Sequence, residues 1–204
     1  MGDEGAVGAI LAGGRSTRMG TAKAVVELAG RPLLLHAVAA VEGAALEALV
    51  IAKPNSPLPR LQGRVAREPP EPVHPLRGIV TALEVAAGRP VVALACDMPL
   101  VPAALLAWLA GLEAPTAVVQ AGGRIQPLLA RYEPAVAPTV ERAMAAGAPA
   151  HEVVSALDAR VIAEDELARF GDPELICLNV NTPADLERAE AVIAARGPGV
   201  GWAG

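Results

Sequence analysis

The stretch LAGGRSTRMGTAKAVVEL, residues 11–28, joins an apolar run to a loop that holds Gly13, Gly14 and Gly20 and the cations Arg15, Arg18 and Lys23, with no acid before Glu27. The run that feeds it, AVGAIL, is short, apolar and ends on the glycine pair, the pattern of a buried strand that stops at the edge of a sheet. Neither GxGxxG nor GxxxxGK[ST] fits, because Gly20 is followed by Thr21, Ala22 and Lys23. What remains is a strand emptying into backbone N–H groups that can converge on an anion. A tight turn with solvated arginines is the plainer alternative. Composition speaks against it: of 17 cationic residues only Lys23 and Lys53 are lysines, so a chain that otherwise uses arginine keeps a compact ammonium beside this loop. An ammonium with movable donors suits a phosphate whose geometry changes during reaction.

Working outward, the runs ALVIA, VVALAC, TAVVQA and ELICLNV read as further buried strands. Between them PLLLHAVAAVEGA, VPAALLAWLAGL, PAVAPTVERAMAAG and PADLERAEAVIAA carry proline starts and helical spacing. Alternating two-sided apolar strands and helices predict a three-layer Rossmann-like α/β fold with a mostly parallel sheet. Sites in such sheets lie at the strands' C-terminal ends. One break is expected, an antiparallel hairpin turning at Gly122 and Gly123. Residues 53–75 are a Pro-rich loop region around a short strand ending before Glu68. Residues 1–196 are expected to form a single domain, with 197–204 a flexible tail.

The bulk numbers narrow the partners. The 204 residues carry 17 basic and 22 acidic side chains, a formal charge of −5, and only 2% aromatics. Such a chain has neither the field nor the stacking platform for nucleic acid. No apolar run reaches membrane-spanning length, and Asp3 and Glu4 stand where a signal peptide wants cations, so no membrane association and a cytoplasmic location are expected. Cys96 and Cys177 show no CxxC spacing and read as buried thiols. His36, His74 and His151 lack partners at metal or triad spacing and receive no catalytic role.

Several acids and amides fall where chemistry is possible. Asp97 follows VVALAC directly and faces the same sheet edge as the loop; the alternatives are a metal-binding carboxylate and an ordinary turn or cap. Asn179 and Asn181, read on one face of a strand, can orient phosphates or simply serve a strand end. TPAD reads as a helix start, with Thr182 at N-cap, Pro183 at N1 and Asp185 at N3, and needs no function. Glu68 follows a short strand and precedes Gly78 at a helix start; the alternatives are a carboxylate that accepts paired hydrogen bonds from a ligand and an ordinary solvated loop acid, with Glu71 the fallback.

LAGGRSTRMGTAK resembles the LAGG-x-S-x-RMG-x-x-K signature of the molybdopterin nucleotidyltransferases, most closely molybdenum cofactor guanylyltransferases of the MobA type. The likeness continues in order through GRPLLLHAV, PLRGIVTALE, ACDMPLVPAALLAWL, GRIQPLLARYEPAV and LNVNTPADLERAE. The resemblance implies transfer of GMP from GTP to the terminal phosphate of Mo-molybdopterin, with release of pyrophosphate. It implies Mg²⁺ on Asp97, and Lys23, Arg15, Arg18 and Asp97 as the catalytic set. Leu11, Ala12, Gly13 and Gly14 would line the nucleotide with Lys23, Glu68, Gly78 and Asp97. The acceptor would meet Asn179, Asn181, Arg124 and Gln126. Other cofactor-biosynthesis proteins are candidate partners. Cytidylyl relatives read LAAG, which makes the missing methyl at Gly13 a candidate base selector. The rivals are the sister cytidylyltransferase and a nucleotide-binding sensor without turnover. This chain departs from the family at Ala22, where an aspartate is usual, at Arg77 in PLRG for the commoner PLAG, and in APAHEVV, which lacks basic residues.

Overall fold

The computed structural model describes residues 5–13 and 21–196. Gly14, Arg15 and Arg18 of the loop, and the expected tail, lie outside the described residues. Strand β1 (Val7–Leu11) is followed after the loop by a 3-10 turn at Lys23–Val25 and a small ribbon, β2 (Glu27–Leu28) and β3 (Arg31–Pro32). Helix α1 (Leu33–Gly43), β4 (Glu47–Ala52), β5 (Arg64–Arg67), α2 (Arg77–Val85), β6 (Val91–Ala95) and α3 (Ala103–Ala110) complete the first half. The chain continues through β7 (Thr116–Ala121), β8 (Arg124–Tyr132), α4 (Ala137–Ala145), α5 (Ala150–Ser155) and β9 (Arg160–Ile162). Three helices close it: α6 (Glu164–Leu167), α7 (Pro173–Ile176) and α8 (Pro183–Arg196).

The main sheet has seven strands in the order β5-β4-β1-β6-β8-β7-β9. Strands β5, β4, β1 and β6 run parallel, β7 and β9 pair parallel, and β8 is antiparallel to both of its neighbours. This is the predicted three-layer α/β architecture with its hairpin. Gly122 and Gly123, at φ 58° and 69°, make the left-handed turn that a two-residue hairpin needs.

Period-two alternation splits each central strand between two cores. Ile10, Val50 and Ala52 pack on one face with Leu34 and Val41 of α1 and Leu105 and Leu109 of α3. Ala9, Leu49 and Ile51 point the other way, toward Ile79 and Leu83 of α2 and Val140 of α4. With few rings available, the aliphatic layers must sit close. At Gly8 a Cβ would stand 2.3 Å from Val41 Cγ1, so the missing side chain sets how near α1 lies to β1. Tyr132 is the bulkiest fully buried side chain, and its hydroxyl is spent donating to Pro127 O at 2.7 Å.

One expectation fails. ELICLNV is not a strand: Pro173–Ile176 forms α7, and residues 177–181 are irregular. Asp172 accepts from the Glu174 N–H as an N-cap and Pro173 occupies N1, local signals that outweigh a short apolar run. Only Val180 keeps a strand-like bond, donating to Asp97 O at 2.8 Å. Among the described residues no helix is long and apolar enough to cross a membrane.

Candidate active site

Four neighbouring parallel strands each deliver one residue just past their C-terminal ends: Glu68 after β5, Lys53 after β4, Gly13 after β1 and Asp97 after β6. At the usual strand spacing, Glu68 and Asp97 are about 14 Å apart across the sheet. Between them lies a cavity of 330 Å³. Its wall includes Leu11, Gly13, Lys23, Lys53, Glu68, Gly78 and Asp97. Ala12 is buried behind it, its N–H donating to Ile51 O at 2.8 Å.

At the β6 end Lys23 Nζ lies 2.5 Å from Asp97 Oδ2 and also donates to Asn181 Oδ1. The carboxylate beside Lys23 is thus supplied from across the fold, by Asp97, and not by position 22. Asn181 is itself held from the start of α8. Asp185 Oδ2 accepts from the Asn181 N–H at 3.0 Å, the Thr182 N–H at 2.8 Å and the Thr182 hydroxyl at 2.8 Å. The helix start read from TPAD is present and also fixes a site residue. Burial pushes the Asp185 carboxyl up, but these hydrogen bonds outweigh it and the net direction is down. Asn179, without the expected strand, turns back on its own segment and donates to Cys177 O at 3.0 Å. The two amides are therefore not a matched pair.

At the β5 end Glu68 is 7% exposed, and its Oε1 accepts from Lys53 Nζ at 2.7 Å. Glu71, the fallback acid, is exposed and does not line the cavity. Gly78, in the first turn of α2, permits a tight approach: a Cβ there would meet Leu11 Cδ2 at 3.1 Å and Glu68 Oε2 at 3.2 Å. Lys53 was not foreseen as a site residue. The available signal was its identity, the second of two lysines, at the end of a buried strand on the same sheet edge.

The remaining groups are structural or distant. His74 lines the cavity with both ring nitrogens engaged: Nδ1 accepts from the Leu76 N–H at 3.1 Å and Nε2 faces Ala148 O at 2.9 Å. His36 is buried against Leu28 O, and desolvation lowers its pKa. Cys96 reaches the cavity wall, but burial pushes its thiol up to about 12, which leaves no thiolate for nucleophilic work. Cys177 is half-buried rather than buried. Arg124 is exposed and Gln126 half-buried on the hairpin, and neither lines the cavity; Leu128, two residues on from Gln126, does.

The family model of the MobA-like NTP transferase domain matches residues 8–162. A molybdenum cofactor guanylyltransferase of Cereibacter sphaeroides is 39% identical over 199 residues, covering 91% of this chain and 96% of that protein. A probable molybdenum cofactor guanylyltransferase of Carboxydothermus hydrogenoformans is 34% identical over 189 residues, covering 88% and 92%. Among solved structures, molybdopterin-guanine dinucleotide biosynthesis protein A from Archaeoglobus fulgidus superposes with a TM-score of 0.76 at 25% identity, covering 92% of this chain and 98% of that one.

Proposed function

Because the chain belongs to the MobA-like NTP transferase family and is a nucleotidyltransferase, we propose that it transfers GMP from GTP to the terminal phosphate of Mo-molybdopterin. The observation that carries this reading is the row of residues along one sheet edge. It sets the buried Glu68 carboxylate with Lys53 beside it, and a cation and carboxylate at Lys23 and Asp97, at opposite ends of one cavity. The guanylyltransferase relatives favour guanine over cytosine as the base.

The acceptor phosphate is already an anionic nucleophile, so no side chain needs to remove a proton. Its oxygen attacks the α-phosphorus of GTP while the bond from that phosphorus to the bridging oxygen of pyrophosphate breaks. The chain's task is then positioning and charge neutralisation. Lys23 Nζ offers three donors, and only part of that capacity is used by Asp97 and Asn181. It can turn onto phosphate oxygens, with Arg15 and Arg18 as further cations of the same loop. Asn181, braced by Asp185, limits how far the ammonium can swing.

Asp97 fits Mg²⁺. Its Oδ2 already accepts a cation, the Lys23 ammonium, on the cavity side. Among the described residues no group of three or more His, Cys, Asp or Glu gathers to cage a metal. Mg²⁺ takes few protein carboxylates and completes its shell with phosphate oxygens and water. Bound there, Mg²⁺ would supply positive charge for the α-phosphate and the leaving pyrophosphate.

The test is pyrophosphate release and formation of the guanine dinucleotide from GTP and Mo-molybdopterin, with CTP in parallel. Product from GTP supports the proposal. Product from CTP alone assigns the cytidylyl reaction, and nucleotide binding with no product assigns a sensor.

A further inference from the structure

Lys53 stands one residue past the buried end of β4, and its Nζ is 2.7 Å from Glu68 Oε1. The two partners differ in freedom: the Lys53 side chain is 40% exposed, that of Glu68 only 8%. The carboxylate is held while the ammonium can adjust. Two glycines keep the pair uncovered. A Cβ at Gly13 would lie 3.3 Å from Lys53 Cγ and 3.7 Å from Glu68 Oε1, and one at Gly78 would lie 3.2 Å from Glu68 Oε2. Neither glycine has a positive φ, so both serve space rather than turn geometry. Around the pair the wall is apolar, with Leu11, Ile51, Val73 and Pro75. Val73 is 73% exposed at the rim, where a flat ring can cover it.

The polar edge in this apolar slot has an order. From Glu68 Oε2 through Oε1 to Lys53 Nζ it reads acceptor, acceptor, donor. The hydrogen-bonding edge of guanine reads donor, donor, acceptor, from the exocyclic amine through N1–H to O6. Cytosine and adenine each present an unprotonated ring nitrogen beside their amine, which would set an acceptor against a Glu68 oxygen. We infer that Lys53 is a base-specificity residue whose ammonium donates to O6 of the guanine that Glu68 holds by N1–H and the amine. The assignment rests on the guanylyl reading of this site. It gives the lysine a task that neutralising Glu68 alone would not require, because a buried unmatched group is what makes such a site reject the wrong base.

The experiment is calorimetric titration of the parent, Lys53→Met and Lys53→Gln with GTP, 6-thio-GTP and CTP. Sulfur in place of O6 keeps both donors and weakens the acceptor. The parent is expected to bind 6-thio-GTP about tenfold more weakly than GTP, the scale of one hydrogen bond. Lys53→Met should lose about tenfold for GTP and bind GTP and 6-thio-GTP alike, while Lys53→Gln, which keeps a donor, retains part of the preference. Thermal melts of each variant separate misfolding from lost recognition. Equal losses for GTP and 6-thio-GTP in Lys53→Met, with the preference intact, would overturn the inference and leave Lys53 as a counter-charge. A parent that does not discriminate 6-thio-GTP would overturn it too. A parent that binds CTP as well as GTP would instead overturn the guanylyl reading on which it stands.

Discussion

Lys23 Nζ and Asp97 Oδ2 are 2.5 Å apart although 74 residues of chain separate them. Each is mostly buried, at 16% and 13% side-chain exposure, so the pair is shielded from salt and positioned before any nucleotide arrives. Preorganised charge of this kind is most effective where negative charge builds during reaction.

Replacing Lys23 by Ala should therefore lower turnover by about 10²–10³, the range for removing one such donor, while the fold survives. Arg should restore part of it, since its rigid fork cannot follow the phosphate as an ammonium does. Pyrophosphate release beside a thermal melt measures both. Parent-like release from Lys23→Ala would exclude the residue from the chemistry.

Asp97→Asn keeps the shape and removes the charge. The expected outcome is loss of the rise in activity with added Mg²⁺, with the Val180 N–H still bonded to the residue 97 carbonyl and the melting temperature little changed. A Mg²⁺ titration that matches the parent would remove Asp97 from the metal site.

Gly13→Ala tests base selection at the loop. With no left-handed φ to protect, the backbone accepts Ala, and the new methyl meets Lys53 Cγ at 3.3 Å. GTP binding should weaken by about 1–3 kcal/mol, the scale of overpacking or of one unmatched hydrogen bond, and CTP binding by less. Calorimetry with both nucleotides decides; equal losses would mean that the position serves the loop and not the base.

At the start of α8, Thr182→Ala should cost about 1 kcal/mol of stability by removing the N-cap. The pH dependence has a definite sign. The folded Asp185 carboxyl is held below its ordinary value despite burial, so its contribution is present above the unfolded pKa and fades as pH falls through the folded one. Asp185→Asn should thus be less stable than the parent at about pH 7, with the gap narrowing as the pH falls through the titration of the folded carboxyl, read by denaturant melts. A gap that persists in acid would deny the carboxylate this part.

Much of this was legible because it is local. Proline starts marked α1, α3 and α8. The Gly122–Gly123 pair marked the hairpin, and Asp97 could be placed because a carboxylate directly after VVALAC has one place to go in a parallel sheet. The failures have physical reasons. ELIC is too short an apolar run to separate strand from helix by periodicity, and the Asp172 cap decided it. The β2–β3 ribbon was missed because two-residue strands have no period at all. Lys53 was passed over because its meaning depends on Glu68, 15 residues away just past the adjacent strand β5, a pairing that only strand order reveals.

The bond from Lys23 to Asn181 spans 158 residues, and Val180 closes onto Asp97 beside it. Since a chain is made from its N-terminus, Glu68, Lys53, Gly13 and Asp97 are all made before the segment that completes the Lys23 end of the site. The cation end of the site is therefore complete only once residues 180 and 181 have been made and have docked, whereas the Glu68–Lys53 pair draws on nothing beyond the end of β5.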